Sequence, residues 1–283
     1  MRNNLKTVVL LTVLGALVMG IGSFFGQGGL IIGLVIALAM VGGSYWFSDR
    51  IAIAAARAKP VTEAEMPEYY AIVRELSQRA GMPMPKLYVS PEAQPNAFAT
   101  GRNPNHAAVA VTRGILDVCS SDELRGVLAH ELSHVGNRDI LIGSVAAALA
   151  MMITFVARIA LWGSMFGGGR DRRNENFLGL IAMAILAPIA ATLLQMALSR
   201  SREFEADRSG AWLIGTGEPL ARALEKLEAT AKRVPMNVDP AHATAYIVNP
   251  LTGRQMQFKQ LFTTHPPTDE RVRRLRAGEW AHH

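Results

Sequence analysis

Four long apolar runs set the pattern of this chain: Leu5 to Phe25, Gly28 to Phe47, Ile140 to about Phe166, and Phe177 to Leu198. Each is close to the ~20 residues that a helix needs to cross a hydrocarbon layer. The first two, separated by "GQGG", predict a helical hairpin. The first run is too long for the core of a cleaved secretory signal, and a second run follows it at once, so it reads as an anchor. The third run contains Arg158, and the fourth contains Pro188 and Gln195. These two are compatible with full spans or with re-entrant helices.

Between the runs the period changes. Thr62 and Glu65 have capping-box spacing, which predicts a helix from Thr62 to Ala80 that ends at Gly81. After the breaker "MPMPK" come three short β candidates, "KLYV", "AFATG" and "HAAVAVT". The turn signal "RNPN" joins the last two into a hairpin. Ser120 and Glu123 form a second capping box. Behind them Leu124, Val127, Leu128, Leu132 and Val135 recur at helical spacing, with His130 and His134 expected away from that stripe. Further helices are predicted in "SRSREFEADRSGA", near Pro219 to Arg233, and after the Pro-rich turn of "THPPTDERVRRLRAG". The expected fold class is α+β and mainly helical, in an integral membrane protein. Its parts are a membrane hairpin (1–48), a cytosolic block (49–139), a second membrane hairpin (140–198) and a final cytosolic block (199–283).

Composition agrees: half of the 283 residues are hydrophobic and 18 % are charged. Charge adds an orientation. Arg2 and Lys6 precede the first hairpin and Arg50, Arg57 and Lys59 follow it, which places both its ends in the cytoplasm. The 29 basic and 23 acidic residues leave a net charge of +6. No basic groove interleaved with aromatics accompanies that excess, so it points to lipid headgroups and not to nucleic acid. Cys119 is the only cysteine, which rules out an intrachain disulfide.

The candidate chemistry lies in "AHELSHVGNRD". Histidines four apart on a helix share a face, so His130 and His134 can bind one zinc ion, and Glu131 beside them can act as a general base. Catalytic zinc usually takes three protein ligands. Position 140 is Ile, not a third histidine, and no Asp lies inside an apolar run. A carboxylate on a second helix remains, and "SRSREFEADRSGA" supplies it. Glu203 and Asp207 are spaced i, i+4: Glu203 as ligand and Asp207 as acceptor for a ligating histidine's Nδ1–H. Glu205 points elsewhere. The two halves of this site lie before the third run and after the fourth, so an even number of crossings brings them to one side of the membrane. Co²⁺ and Mn²⁺ fit similar donor sets.

"NAFATG", "AHELSHVGNRD", "REFEAD" and "HPPTDERVRRL", together with the paired apolar runs, resemble the HtpX membrane-bound zinc metalloproteases of bacteria, relatives of the CAAX prenyl proteases. The resemblance implies a gluzincin-like core with His130, His134 and Glu203 on zinc and Glu131 as base. It also implies proteolytic quality control of membrane proteins at the bacterial inner membrane. A CAAX-type chamber needs more than four spans, and a non-catalytic scaffold has no use for Glu131 beside two ligand histidines. Two further sites are expected. The "AFATG" strand would hold an extended polypeptide substrate, with Asn96 and Phe98 as contacts. His265, in the "HPP" motif and with Arg271 nearby, would donate to the oxyanion.

Overall fold

The structure is a computed structural model that describes residues 46–137, 139, 200–233 and 266–281, with Ile31 and Val35. The chain divides into two compact units, 1–44 with 141–198, and 45–140 with 199–283. Among the described residues no helix is long and apolar enough to cross a membrane. The four predicted apolar runs lie almost wholly outside them, as does His265.

In chain order the second unit contains α1 (Ser48–Ala55), β1 (Lys59–Pro60), α2 (Pro67–Arg79), β2 (Lys86–Ser90), β3 (Ala97–Gly101), a 3-10 turn at Pro104–His106, β4 (Ala107–Thr112), α3 (Arg113–Val118) and α4 (Ser121–Gly136). Helix α5 covers 200–214, and α6 (Glu218–Arg233) and α7 (Thr268–Arg276) follow. The strands form one sheet in the order β1-β2-β4-β3. The predicted hairpin is the antiparallel β3–β4 pair, with Phe98 opposite Ala110. β2 runs parallel to β4, and β1 pairs antiparallel with β2. β4 is buried at all six positions, which is why "AAVAVT" is small and, up to Thr112, apolar instead of alternating. β1 is a Lys-Pro pair with no periodicity to announce it, and its proline is tolerated at a sheet edge.

Helix α2 starts five residues later than the sequence predicts. Thr62 and Glu65 do interact, the Glu65 carboxylate accepting from the Thr62 N–H at 2.7 Å, but they close a turn before the helix. Pro67, pre-set for a first helical position, begins the helix proper. Gly81, at φ +62°, ends that segment as expected.

The core joins Tyr69, Val73 and Leu76 of α2, Val109 and Val111 of β4, Leu124, Val127, Leu128 and Leu132 of α4, Leu220, Leu224 and Leu227 of α6, and Leu275 of α7. Each fully buried leucine contributes about 1.5–3 kcal/mol. α4 is the centre of this arrangement. Its predicted stripe is buried, but so is its other side: His130 is 1 % exposed and Glu131 5 %. The histidine face is thus not a solvent face, because α5 covers it.

Candidate metal centre

The capping box of α4 forms as predicted. Ser120 Oγ accepts from the Glu123 N–H, and the Glu123 carboxylate accepts from the Ser120 N–H at 2.9 Å. This fixes the start of α4, and 3.6 residues per turn then bring His130 and His134 to one side. Their Nε2 atoms lie 3.2 Å apart, with the rings nearly perpendicular at 86°.

Glu203 arrives from α5. Its Oε2 is 3.6 Å from His130 Nε2 and its Oε1 is 3.6 Å from His134 Nε2. Such proximity needs two helices in unusually close contact, and Gly210 provides it. A Cβ at that position would lie 2.9 Å from the His130 backbone nitrogen and 3.0 Å from the Ala129 carbonyl carbon. Residues 203, 207 and 210 are spaced i, i+4, i+7, so the glycine contact and both carboxylates share the face turned to α4. Glu205 does not. It pairs with Arg208 on the outer side of α5 at 2.7 Å.

Both histidines have an anionic partner at the far nitrogen. His130 Nδ1 is 2.9 Å from Asp207 Oδ1, and His134 Nδ1 is 2.7 Å from Asp139 Oδ2. Asp139 is held in turn, because Arg202 on α5 donates to its carbonyl at 2.8 Å. Asp207 is gripped by Arg271 of α7, whose Nε and Nη2 donate to its two oxygens at 2.8 and 2.7 Å. Arg271 is 1 % exposed and also stands 3.6 Å from Glu203 Oε2. The predicted Asp207 contact is therefore present. The Arg271 guanidinium is committed to Asp207 behind the histidines. Asp139 and Arg271 had no local signal as partners, since neither shares a helix face with the residue it holds.

The donor set fits a cation. His134 Nδ1 bonds the Asp139 carboxylate and His130 Nδ1 lies beside Asp207 Oδ1, which leaves both Nε2 atoms turned toward each other and toward the Glu203 carboxylate. Without a positive charge between them their lone pairs repel. Their 3.2 Å separation is close to the ~3.3 Å expected of two ligands ~2.0 Å from a tetrahedral zinc. One donor atom from each of His130, His134 and Glu203 lies within 4.8 Å of the others. The buried carboxylates of Glu131, Asp139, Glu203 and Asp207 outweigh the buried guanidinium of Arg271.

Protonation follows the same field. Burial is the largest influence on His130 and opposes its charge, yet the Asp207 and Glu203 carboxylates overcome it and raise the pKa to about 10. A proton thus competes with a metal for this site. Burial likewise opposes the charge on Asp207, but Arg271 and His130 lower its pKa to about 2. Glu131 shifts the other way, chiefly through burial, which raises its pKa. Its Oε2 accepts from the Ala99 N–H of β3 at 2.9 Å, which orients the carboxyl group.

β3 is an edge strand of the described sheet, as expected for a substrate-holding element. The register sets which β3 residues turn their backbone away from β4. The Asn96 N–H bonds Thr112 Oγ1, and its carbonyl accepts from the Thr112 N–H, both toward β4. Ala99 instead directs its N–H to α4. By the alternation of an antiparallel pair, Phe98 faces β4, while Ala97, Ala99 and Gly101 face outward. Asn96 is buried and Phe98 half-buried.

The profile of peptidase family M48 matches residues 63–279, a span that contains every element from α2 to α7. The chain belongs to peptidase family M48. It is similar to a protease HtpX homolog of Syntrophobacter fumaroxidans, at 53 % identity over 98 % of this chain and all of that protein. A second, from Pelotomaculum thermopropionicum, is 49 % identical over 97 % of this chain and 99 % of that one. The fold is also similar to the crystal structure of S. mikatae Ste24p, with a TM-score of 0.58 and 19 % identity over 97 % of this chain. The chain spans 65 % of the length of that structure, and the likeness carries the fold alone. As an M48 member the chain is a membrane-associated metalloprotease that uses zinc.

Proposed function

We propose that this chain is an endopeptidase with His130, His134 and Glu203 as its zinc ligands, anchored in the bacterial inner membrane with its active site toward the cytosol. Its substrates are misfolded or damaged membrane proteins, cleaved in response to stress. The observation that carries the reading is the convergence of two imidazole lone pairs and one carboxylate, with both imidazoles held from behind by aspartates. Zinc bound there would act as a Lewis acid, polarising the scissile carbonyl and acidifying water.

The chain's own residues do the rest. Asp207 and Asp139 hold the imidazoles in the tautomer that leaves Nε2 a donor to metal. Glu131, with Oε2 fixed by Ala99, uses Oε1 to take the proton of the attacking water and delivers it to the leaving amine. A pKa raised by burial suits a group that must both accept and return a proton near neutral pH. β3 holds the substrate as an added strand beside Ala97, Ala99 and Gly101, next to Glu131. His265 donates to the oxyanion. The apolar runs anchor the chain, both blocks 49–139 and 199–283 being cytosolic.

The test is cleavage of an unfolded membrane protein by purified full-length enzyme, with zinc measured after dialysis. Glu131→Gln should keep its zinc and lose about 10²-fold or more in turnover. Glu203→Ala should lose the zinc itself. A Glu131→Gln enzyme that cleaves at a near-normal rate rejects the assignment of the base, and chelator-insensitive cleavage rejects the metal.

A further inference from the structure

Two residues of the second unit stand where the sequence meets the third and fourth apolar runs: Asp139, one position before Ile140, and Arg202, four positions after Leu198. The fold brings them together. Arg202 Nη1 donates to the Asp139 carbonyl oxygen at 2.8 Å, across 63 positions of sequence. The Asp139 carboxylate is buried and lies 2.7 Å from His134 Nδ1. Arg202 also directly precedes Glu203, so neighbouring residues of α5 reach both sides of His134: one at its Nε2, the other through the aspartate at its Nδ1. Adjacent positions of a helix point about 100° apart, which lets Glu203 face the body of α4 while Arg202 reaches past its end.

That end is where the aspartate needs a hold. The hydrogen-bond ladder of α4 fixes His134, but the C-cap is Asn137, two residues short of Asp139. The Arg202 bond ends on a peptide oxygen, so it orients the Asp139 carboxylate without drawing on its charge. The arrangement carries a cost, since the Arg202 Nε is buried with no hydrogen-bond partner. A guanidinium placed for its own satisfaction would not leave that donor unmet. We propose that Arg202 is a positioning residue of the metal site, one that fixes the backbone at Asp139 so that its carboxylate meets His134 Nδ1. This rests on the reading of His130, His134 and Glu203 as the zinc ligands. By that route Arg202 sets how well His134 serves as a donor, as a carboxylate behind a ligand histidine orients the ring and raises its basicity.

The test uses full-length protein, stripped of metal and titrated with Zn²⁺ against a competing chelator. Arg202→Met should weaken zinc binding about 10-fold. Arg202→Lys, which keeps a charged donor, should restore most of that loss. Asp139→Ala removes the carboxylate but leaves the carbonyl that Arg202 binds. Added to Asp139→Ala, Arg202→Met should therefore cause no further loss of zinc affinity. A second, additive loss overturns the proposal, because it would mean that Arg202 only holds two segments together. The milder Arg202→Gln must obey the same rule, and it serves if Arg202→Met does not fold. Co²⁺ bound in place of zinc reports the ligand geometry by its visible absorption. That spectrum should change alike in Arg202→Met and Asp139→Ala and return in Arg202→Lys; affinity and spectrum both unchanged in Arg202→Met overturn the proposal. In peptide hydrolysis kcat should fall with KM kept, since the metal site is disturbed and not the substrate strand. Glu203→Ala separates the two readings. If it binds zinc as the wild type does, the ligand assignment falls and this proposal with it; if it loses zinc while the Arg202 and Asp139 effects add, only the role of Arg202 falls.

Discussion

The two halves of α4 share one helix and one core yet are built on opposite terms. The first half, around Leu124, Val127 and Leu128, is apolar and fully buried against α2 and α6. Its one buried acid, Glu123, completes the capping box and is met by Lys226 at 2.6 Å. The second half buries His130, Glu131 and Ser133 and brings in Asp139, Glu203, Asp207 and Arg271 from other segments. Burial stabilises the first half at little electrostatic cost, because the one buried carboxylate, Glu123, is met by Lys226 and by the Ser120 N–H. In the second half burial opposes the charges on His130, Glu131, Asp207 and Arg271, and His130, Asp207 and Arg271 keep theirs because opposite charges lie against them. One half contributes stability and the other spends some of it on a site.

The largest expected effect is on Arg271, the cation that makes the second half tolerable. Arg271→Met should destabilise the full chain by about 3–5 kcal/mol, because it leaves Asp207 buried and charged without its partner. The pH dependence of unfolding should move with it. The folded pKa of Asp207 lies below its ordinary 3.8, at about 2, so its contribution is present above pH 3.8 and fades as pH falls toward 2. In Arg271→Met the loss should begin at a higher pH. Denaturant titration across acid pH checks both, and an unchanged profile breaks the distinction between the halves.

Leu128→Ala tests the other half. Its side chain is fully buried, and its truncation should cost about 2–5 kcal/mol. The molecules that remain folded should bind zinc as the wild type does. A shift in metal affinity equal to that of the site variants would mean that the halves are one cooperative unit.

Asp207→Ala should weaken zinc retention about 10- to 100-fold, as expected for loss of a carboxylate behind a ligand histidine. Glu205→Ala should leave retention unchanged, because Glu205 pairs with Arg208 on the outer face of α5. Competition with a graded series of chelators orders the two. The smallest effect belongs to Arg276, whose links to Glu218 and Glu225 are half exposed. Arg276→Ala should barely move the unfolding midpoint, since solvent and salt screen such pairs.

Local rules made α4, the β3–β4 hairpin and the His130–Glu131–His134 face legible in the sequence. Capping, helical spacing and turn chemistry act between residues that are neighbours in the chain, and so leave a periodic mark on it. Glu203 and Asp207 were legible for the same reason, being one helical turn apart. Their seventh-position companion Gly210 was equally visible as spacing, but its meaning depended on what it would touch. The start of α2, the parallel pairing of β2 with β4, the outward turn of Ala99 in place of Phe98, and the partnerships of Asp139 with His134 and Arg271 with Asp207 were decided by the tertiary structure. These contacts join segments up to 64 residues apart. Their geometry is set by how closely helices pack and which backbone groups a neighbouring strand already occupies, and neither quantity has a period that a single sequence can display.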